Sequence, residues 1–137
     1  MRIKLVLAVA VIATLTASIL PGIASAHDFR VKPKVNLQLL PDNPVDDGQR
    51  VALAGKIKGK NFCANRRQVE LFRRDGGRDT LLDTDRSDGD GEFRFRVAAN
   101  SDMVVYAKVG RLTDRNYNHR HVCRRSKSEA VTINVAG

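Results

Sequence analysis

Residues 91–109 read Gly91-Glu92-Phe93-Arg94-Phe95-Arg96-Val97-Ala98-Ala99-Asn100-Ser101-Asp102-Met103-Val104-Val105-Tyr106-Ala107-Lys108-Val109. Phe93, Phe95 and Val97 alternate with Arg94 and Arg96. A period of two of this kind marks a strand with one dry and one wet face. Met103 to Val109 is nearly continuous and apolar, which predicts a central strand. The same period recurs on both sides of this stretch. Val131, Ile133 and Val135 alternate with Thr132 and Asn134; Thr80 to Thr84 reads as a short strand. Val69, Leu71 and Arg73 share one face of another strand, with Glu70, Phe72 and Arg74 on the opposite face. Val51, Leu53 and Ile57 line one face of the run before that, and Gly55 within it predicts a bend or bulge. Val35, Leu37 and Leu39 alternate with Asn36 and Gln38. Turn clusters separate these runs at Pro41-Asp42-Asn43-Pro44, Asp75-Gly76-Gly77-Arg78 and 87–91. Seven short alternating strands predict an all-β fold, a seven-stranded antiparallel Greek-key sandwich of immunoglobulin-like or prealbumin-like type.

The chain has 137 residues, 28% of them charged and 42% hydrophobic, with a formal net charge of +9. This balance excludes wholesale disorder, and two cysteines are too few for a disulfide-dense scaffold. Residues 1–26 have the plan of an export signal. Arg2 and Lys4 form a basic start, Leu5 to Leu20 an apolar stretch, Pro21-Gly22 a helix breaker, and Ala24-Ser25-Ala26 a small-x-small cleavage site. Cleavage would leave residues 27–137 as one β-sandwich domain of about 111 residues, beginning at His27, with a net charge of about +7. The alternative is an uncleaved anchor. The cleaved form is expected to be secreted or periplasmic, with no membrane span.

In an oxidising compartment Cys63 and Cys123 are expected to form one disulfide, the alternatives being metal ligation or free thiols. Cys63 follows the second predicted strand and Cys123 precedes the last. In a Greek-key sandwich those two loops share one end. The bridge would close a loop of about 60 residues, worth roughly 4 kcal/mol in the chain-entropy model.

Gly55-Lys56-Ile57-Lys58-Gly59, Val69-Glu70-Leu71-Phe72, Thr84-Asp85 running into Gly91-Glu92-Phe93-Arg94-Phe95, and Tyr106-Ala107-Lys108-Val109 form a recognisable series. It resembles the bacterial secreted prealbumin-like and immunoglobulin-like sandwiches, among them the carboxypeptidase-regulatory-like and collagen-adhesin B-type domains. The resemblance covers roughly residues 50–110, and the hairpin here is longer than the usual form. It implies a non-enzymatic module for adhesion, spacing or carbohydrate contact. Some adhesin domains carry a Lys–Asn isopeptide bond. The resemblance would cast Lys32 or Lys34, Asn134 and the acid Glu92 in those roles.

Several groups of residues are candidates for chemistry. Asp83, Asp85, Asp88, Asp90 and Glu92 could ring a Ca²⁺, although Asp88 stands where an EF-hand loop needs Gly. The plainer reading is a solvated hairpin turn. His119, His121 and Cys123 share one face of an extended segment, and with Cys63 would make a Cys₂His₂ zinc set; a disulfide would consume both sulfurs. An N-terminal His27 offers an amine and an imidazole to Cu²⁺, with Asp114, His119 and His121 as partners. Small exported copper-resistance β-sandwiches resemble this arrangement. No nucleophile elbow, catalytic cysteine context or phosphate loop is present, so no enzyme activity and no cofactor are expected.

The basic excess is the most usable functional signal. Arg66-Arg67 and Arg124-Arg125 flank the two cysteines, and Arg120 lies close by. Arginine suits bidentate contact with phosphate, sulfate or carboxylate. No acidic residue occurs in 48–69 or in 115–128. The expected function is a secreted, non-enzymatic binding or structural module. It would contact acidic polysaccharide or envelope polymers, without specific nucleic-acid recognition, through Arg66, Arg67, Arg120, Arg124 and Arg125. The alternatives are a periplasmic copper carrier using His27 and an adhesive or inhibitor-like module that binds a protein through its stapled loops.

Overall fold

The computed structural model describes residues 28–116 and 119–137. The export signal and His27 lie outside the described residues. Eleven strands and one helical turn follow in order: β1 (Asp28–Val31), β2 (Lys34–Leu39), β3 (Gln49–Lys58), α1 (Asn61–Ala64), β4 (Gln68–Arg73), β5 (Thr80–Arg86), β6 (Glu92–Ala99), β7 (Met103–Val109), β8 (Leu112–Asn116), β9 (His119–Cys123), β10 (Ser126–Lys127) and β11 (Val131–Ile133).

Two main sheets form a sandwich. One runs β2-β3-β6; the other runs β10-β7-β4-β5, with β11 also paired to β7. β7 is therefore a central strand, as its apolar run predicts. Alternation decides which residues face inward. Along β6 the odd-numbered side chains are buried and the even-numbered ones exposed. Leu53, Ile57 and Phe95 from the first sheet meet Val69, Leu71, Val105, Val109 and Ile133 from the second, all 0 or 1% exposed. Burial of such side chains supplies most of the folding drive, about 25 cal/mol per Å² of apolar surface.

All seven predicted strands occur. The four others are β1, β8, β9 and β10. Three of these, in the order β1-β9-β8, make a small accessory sheet. The sheets are not antiparallel throughout, because β1 lies parallel to β9. This sheet carries little hydrophobic pattern because it buries little: among its described side chains only Val122 and Cys123 of β9 are buried.

Gly55 does not mark a bulge. β3 keeps unbroken register with β2 and β6 through it. The glycine is there because the Phe93 ring, directly across on β6, occupies the space a Cβ would need.

The acidic stretch works as a seam. β5 and β6 belong to different sheets and share no strand ladder. Asp85 accepts the backbone N–H of Arg94 at 2.7 Å and Asp83 that of Arg96 at 3.4 Å. Asp88 accepts those of Asp90 and Glu92 at 2.8 and 2.9 Å. Carboxylates thus occupy the outward amides of an edge strand, which would otherwise invite pairing with another chain. Among the described residues these carboxylates do not gather as a metal set, and Asp83, Asp85 and Asp88 each have an oxygen on a backbone amide.

The amides of Glu92 and Asp90 hold the Asp88 carboxyl below its ordinary value of 3.8. Asp75, bonded by Arg73 and Thr80 in the neighbouring hairpin, is held down likewise. A depressed carboxylate stabilises the fold above the unfolded value, and this contribution is lost as pH falls through the folded value. The amides of Asp90 and Glu92 should therefore be protected from exchange at about pH 5 and lose protection progressively below it. Protection unchanged down to about pH 2 would contradict the seam.

Candidate functional site

The site is the end of the sandwich closed by the disulfide. After β3 the chain turns through Lys60 into α1, where the Cys63 and Ala64 amides bond the Lys60 carbonyl. Cys63 sits in that turn and Cys123 ends β9. Their sulfurs are bonded, with Cα atoms 5.4 Å apart. The expected pairing is therefore present, and the zinc set loses both its thiolates. Among the described residues no three His, Cys, Asp or Glu side chains gather as a metal set.

Arg66 follows at φ 52, a left-handed conformation that is rare outside glycine. Its side chain is exposed. Arg67 differs from the other arginines of this end. It is 7% exposed. Its guanidinium donates to the Cys63 carbonyl at 2.9 Å and to the Gly110 carbonyl at 2.6 Å. Its backbone N–H donates to the Ser87 hydroxyl, which in turn donates to the Ala64 carbonyl. Burial lowers the Arg67 pKa from its ordinary value, and the guanidinium remains charged. Arg67 is thus an internal strap joining α1 to the β7–β8 connection. The placement that makes it a strap also withdraws it from the surface cluster.

Arg120 is half-buried, with Nη1 3.9 Å from the Asp28 carboxylate and a buried Nε that has no protein partner. This Asp28 contact is not legible in sequence, since the acid-free stretch 115–128 acquires an acid only when β1 docks on β9. His121 is stacked on Phe62 at 4.4 Å between ring centroids and makes an edge-type contact with Phe29 at 5.6 Å. His119 is exposed near the β8–β9 turn. Asp114 lies opposite His121 in the β8–β9 register. Glu92, the acid of the isopeptide reading, is exposed and paired with Lys56 at 3.4 Å.

Arg124 and Arg125 leave β9 exposed, and the Arg124 amide bonds the Val31 carbonyl. Among the described residues, Arg66, Arg124 and Arg125 have no carboxylate within 4.0 Å. Strand pairing adds two cations that spacing did not reveal. Leu112 and Val31 both pair with Cys123, bringing the exposed Arg111 and Lys32 next to the bridge.

No family model matches this chain, and no curated protein matches it. Among solved structures the chain is similar to the sulfur carrier protein SoxY from Chlorobium limicola f thiosulfatophilum. The two share 6% identity, with 74% of this chain and 78% of that one covered, at a TM-score of 0.40.

Proposed function

We propose that the chain is an exported, non-enzymatic binding module that holds acidic polymers at its disulfide end. The observation that carries this reading is the set of exposed arginines without acidic partners around the bridge: Arg66, Arg124 and Arg125, with Arg111 beside them. The Cys63–Cys123 bond and the Arg67 strap fix the backbones that present them, which lowers the ordering cost of binding. The disulfide supports an extracytoplasmic location, since such bonds persist in oxidising compartments. For the two main sheets we favour the immunoglobulin-like form, because the orders β2-β3-β6 and β11-β7-β4-β5 keep seven strands in two sheets of three and four. On that reading β1, β8, β9 and β10 are additions that carry the bridge.

Retention on a heparin column tests the proposal. The wild type is expected to elute at higher salt than the combined Arg66→Ala, Arg124→Ala, Arg125→Ala variant. Counterion release predicts that three lost contacts reduce the slope of log affinity against log salt by about 2 to 3. Arg67 is left intact because its removal would damage the fold. Equal elution of the two proteins would overturn the proposal.

A further inference from the structure

A second basic feature lies on the outer face of the sheet that contains β4 and β7. Phe72 and Tyr106 are directly opposite each other on these strands, and their rings are stacked at 5.7 Å with 19° between planes. The Tyr106 hydroxyl donates to Asp79 at 2.6 Å, which anchors the ring. Three cations sit against this pair. Lys108 Nζ lies 5.5 Å from the Phe72 centroid, and the Arg74 guanidinium and Lys127 Nζ lie 5.6 and 5.9 Å from that of Tyr106. Each is within cation–π range. Lys108 also faces Glu70 across the strands, yet makes no ion pair with it within 4.0 Å.

Beside these rings runs an open groove of about 540 Å³. Lys32, Arg74, Lys108, Arg125 and Lys127 line it, with Glu129 as its one carboxylate. Lys127 and Lys108 are direct cross-strand partners. Like charges so placed repel and destabilise a sheet, a cost that a bound anion would offset.

We infer that this groove binds an acidic polysaccharide of uronate type, the carboxylates lying along the cations held by the Phe72–Tyr106 pair. Charge complementarity selects an anion. A polyuronate carries one carboxylate per sugar ring, so its successive charges can meet successive cations carried by neighbouring strands, whose backbones lie about 4.8 Å apart. A single-stranded nucleic acid fits less well. It binds by laying bases on bare aromatic faces, and here the cations lie over the rings. The aromatic pair restrains long side chains before the ligand arrives, so less rotamer entropy is lost on binding. This surface stands if the disulfide end proves inert; Arg125 and Lys32 are the residues common to both.

The test is calorimetric titration of the whole exported protein with a galacturonate hexamer at low salt. Lys108→Ala combined with Lys127→Ala is expected to weaken binding at least tenfold, and Phe72→Leu to weaken it severalfold with every cation retained. Arg94→Ala combined with Arg96→Ala, exposed on β6 of the other sheet, should leave affinity within about twofold, which shows that loss of any two cations is not enough. An uncharged galactose hexamer should not bind. The chain has no Trp and two Tyr, so a change in tyrosine emission on titration, abolished by Tyr106→Leu, reports the site directly. Unchanged binding by the double lysine variant would overturn the inference. So would a thymidylate oligomer of equal charge binding as tightly as the uronate, or an equal loss of uronate binding in the Arg94, Arg96 variant. A thermal midpoint for the lysine variant close to that of the wild type rules out misfolding as the cause of any loss.

Discussion

Cys63→Ala combined with Cys123→Ala should lower the stability of the fold by about 4 kcal/mol, the loop-closure value for a bridge spanning 60 residues. That is a large part of the 5–15 kcal/mol typical of a whole domain. The loss should also be uneven. Among its described side chains the accessory sheet buries only Val122 and Cys123. It is otherwise tied to the body by the Arg67 guanidinium at Gly110 and by the stack of His121 on Phe62. Without the bridge, β1, β8 and β9 should exchange their amides early while the β3–β6 and β4–β7 ladders stay protected, as expected for a weakly held subglobal unit. Urea unfolding and hydrogen exchange of the double variant measure both effects. An unchanged urea midpoint would show that the bridge is ornamental.

Gly55→Ala is the second large effect. The added Cβ would lie inside the van der Waals radii of Phe93 Cζ and of the Asn36 carbonyl oxygen. One obstacle is a core ring packed at 5.4 Å from Phe95, the other is backbone of the neighbouring strand. Neither can withdraw without opening the β2–β3 ladder or expelling Phe93 from the core. Overpacking of this kind costs about 1–3 kcal/mol and more where backbone must move. We expect a loss of about 3 kcal/mol, read from the urea midpoint. Ala98→Gly, at an exposed position on β6, should cost only about 1 kcal/mol by comparison. A Gly55→Ala protein as stable as the wild type would mean that both the Phe93 ring and the Asn36 carbonyl can give way at little cost.

These residues also show where sequence alone carries the fold and where it does not. Phe93, Phe95 and Val97 announce their strand because a half-buried sheet imposes a period of two on side-chain chemistry. β9 does not announce itself. His121 packs by ring stacking and Arg120 by an ion pair, which leave no apolar alternation to read. Gly55 illustrates a further gap: a glycine in a strand signals that something approaches closely, but the Phe93 ring across the sheet is a tertiary fact. Arg67 is the sharpest case for the site. As sequence it is one of two equal neighbours in Arg66-Arg67. In the fold, the left-handed turn at Arg66 sends one side chain to solvent and the other to the Cys63 and Gly110 carbonyls. The pairing of the cysteines was legible from their count and placement. The seam of Asp83, Asp85 and Asp88 was not, because acceptors for edge amides and ligands for a cation use the same residues.

Backbone amide shifts during titration with a size-defined heparin oligosaccharide test the disulfide end as a polyanion surface most directly. The largest shifts should fall at Arg66, Arg111, Arg124 and Arg125 and diminish as salt is raised. If those amides stay unmoved while the oligosaccharide binds elsewhere, or if no amide moves at low salt, the arginines are a solvated surface and the proposed function is wrong.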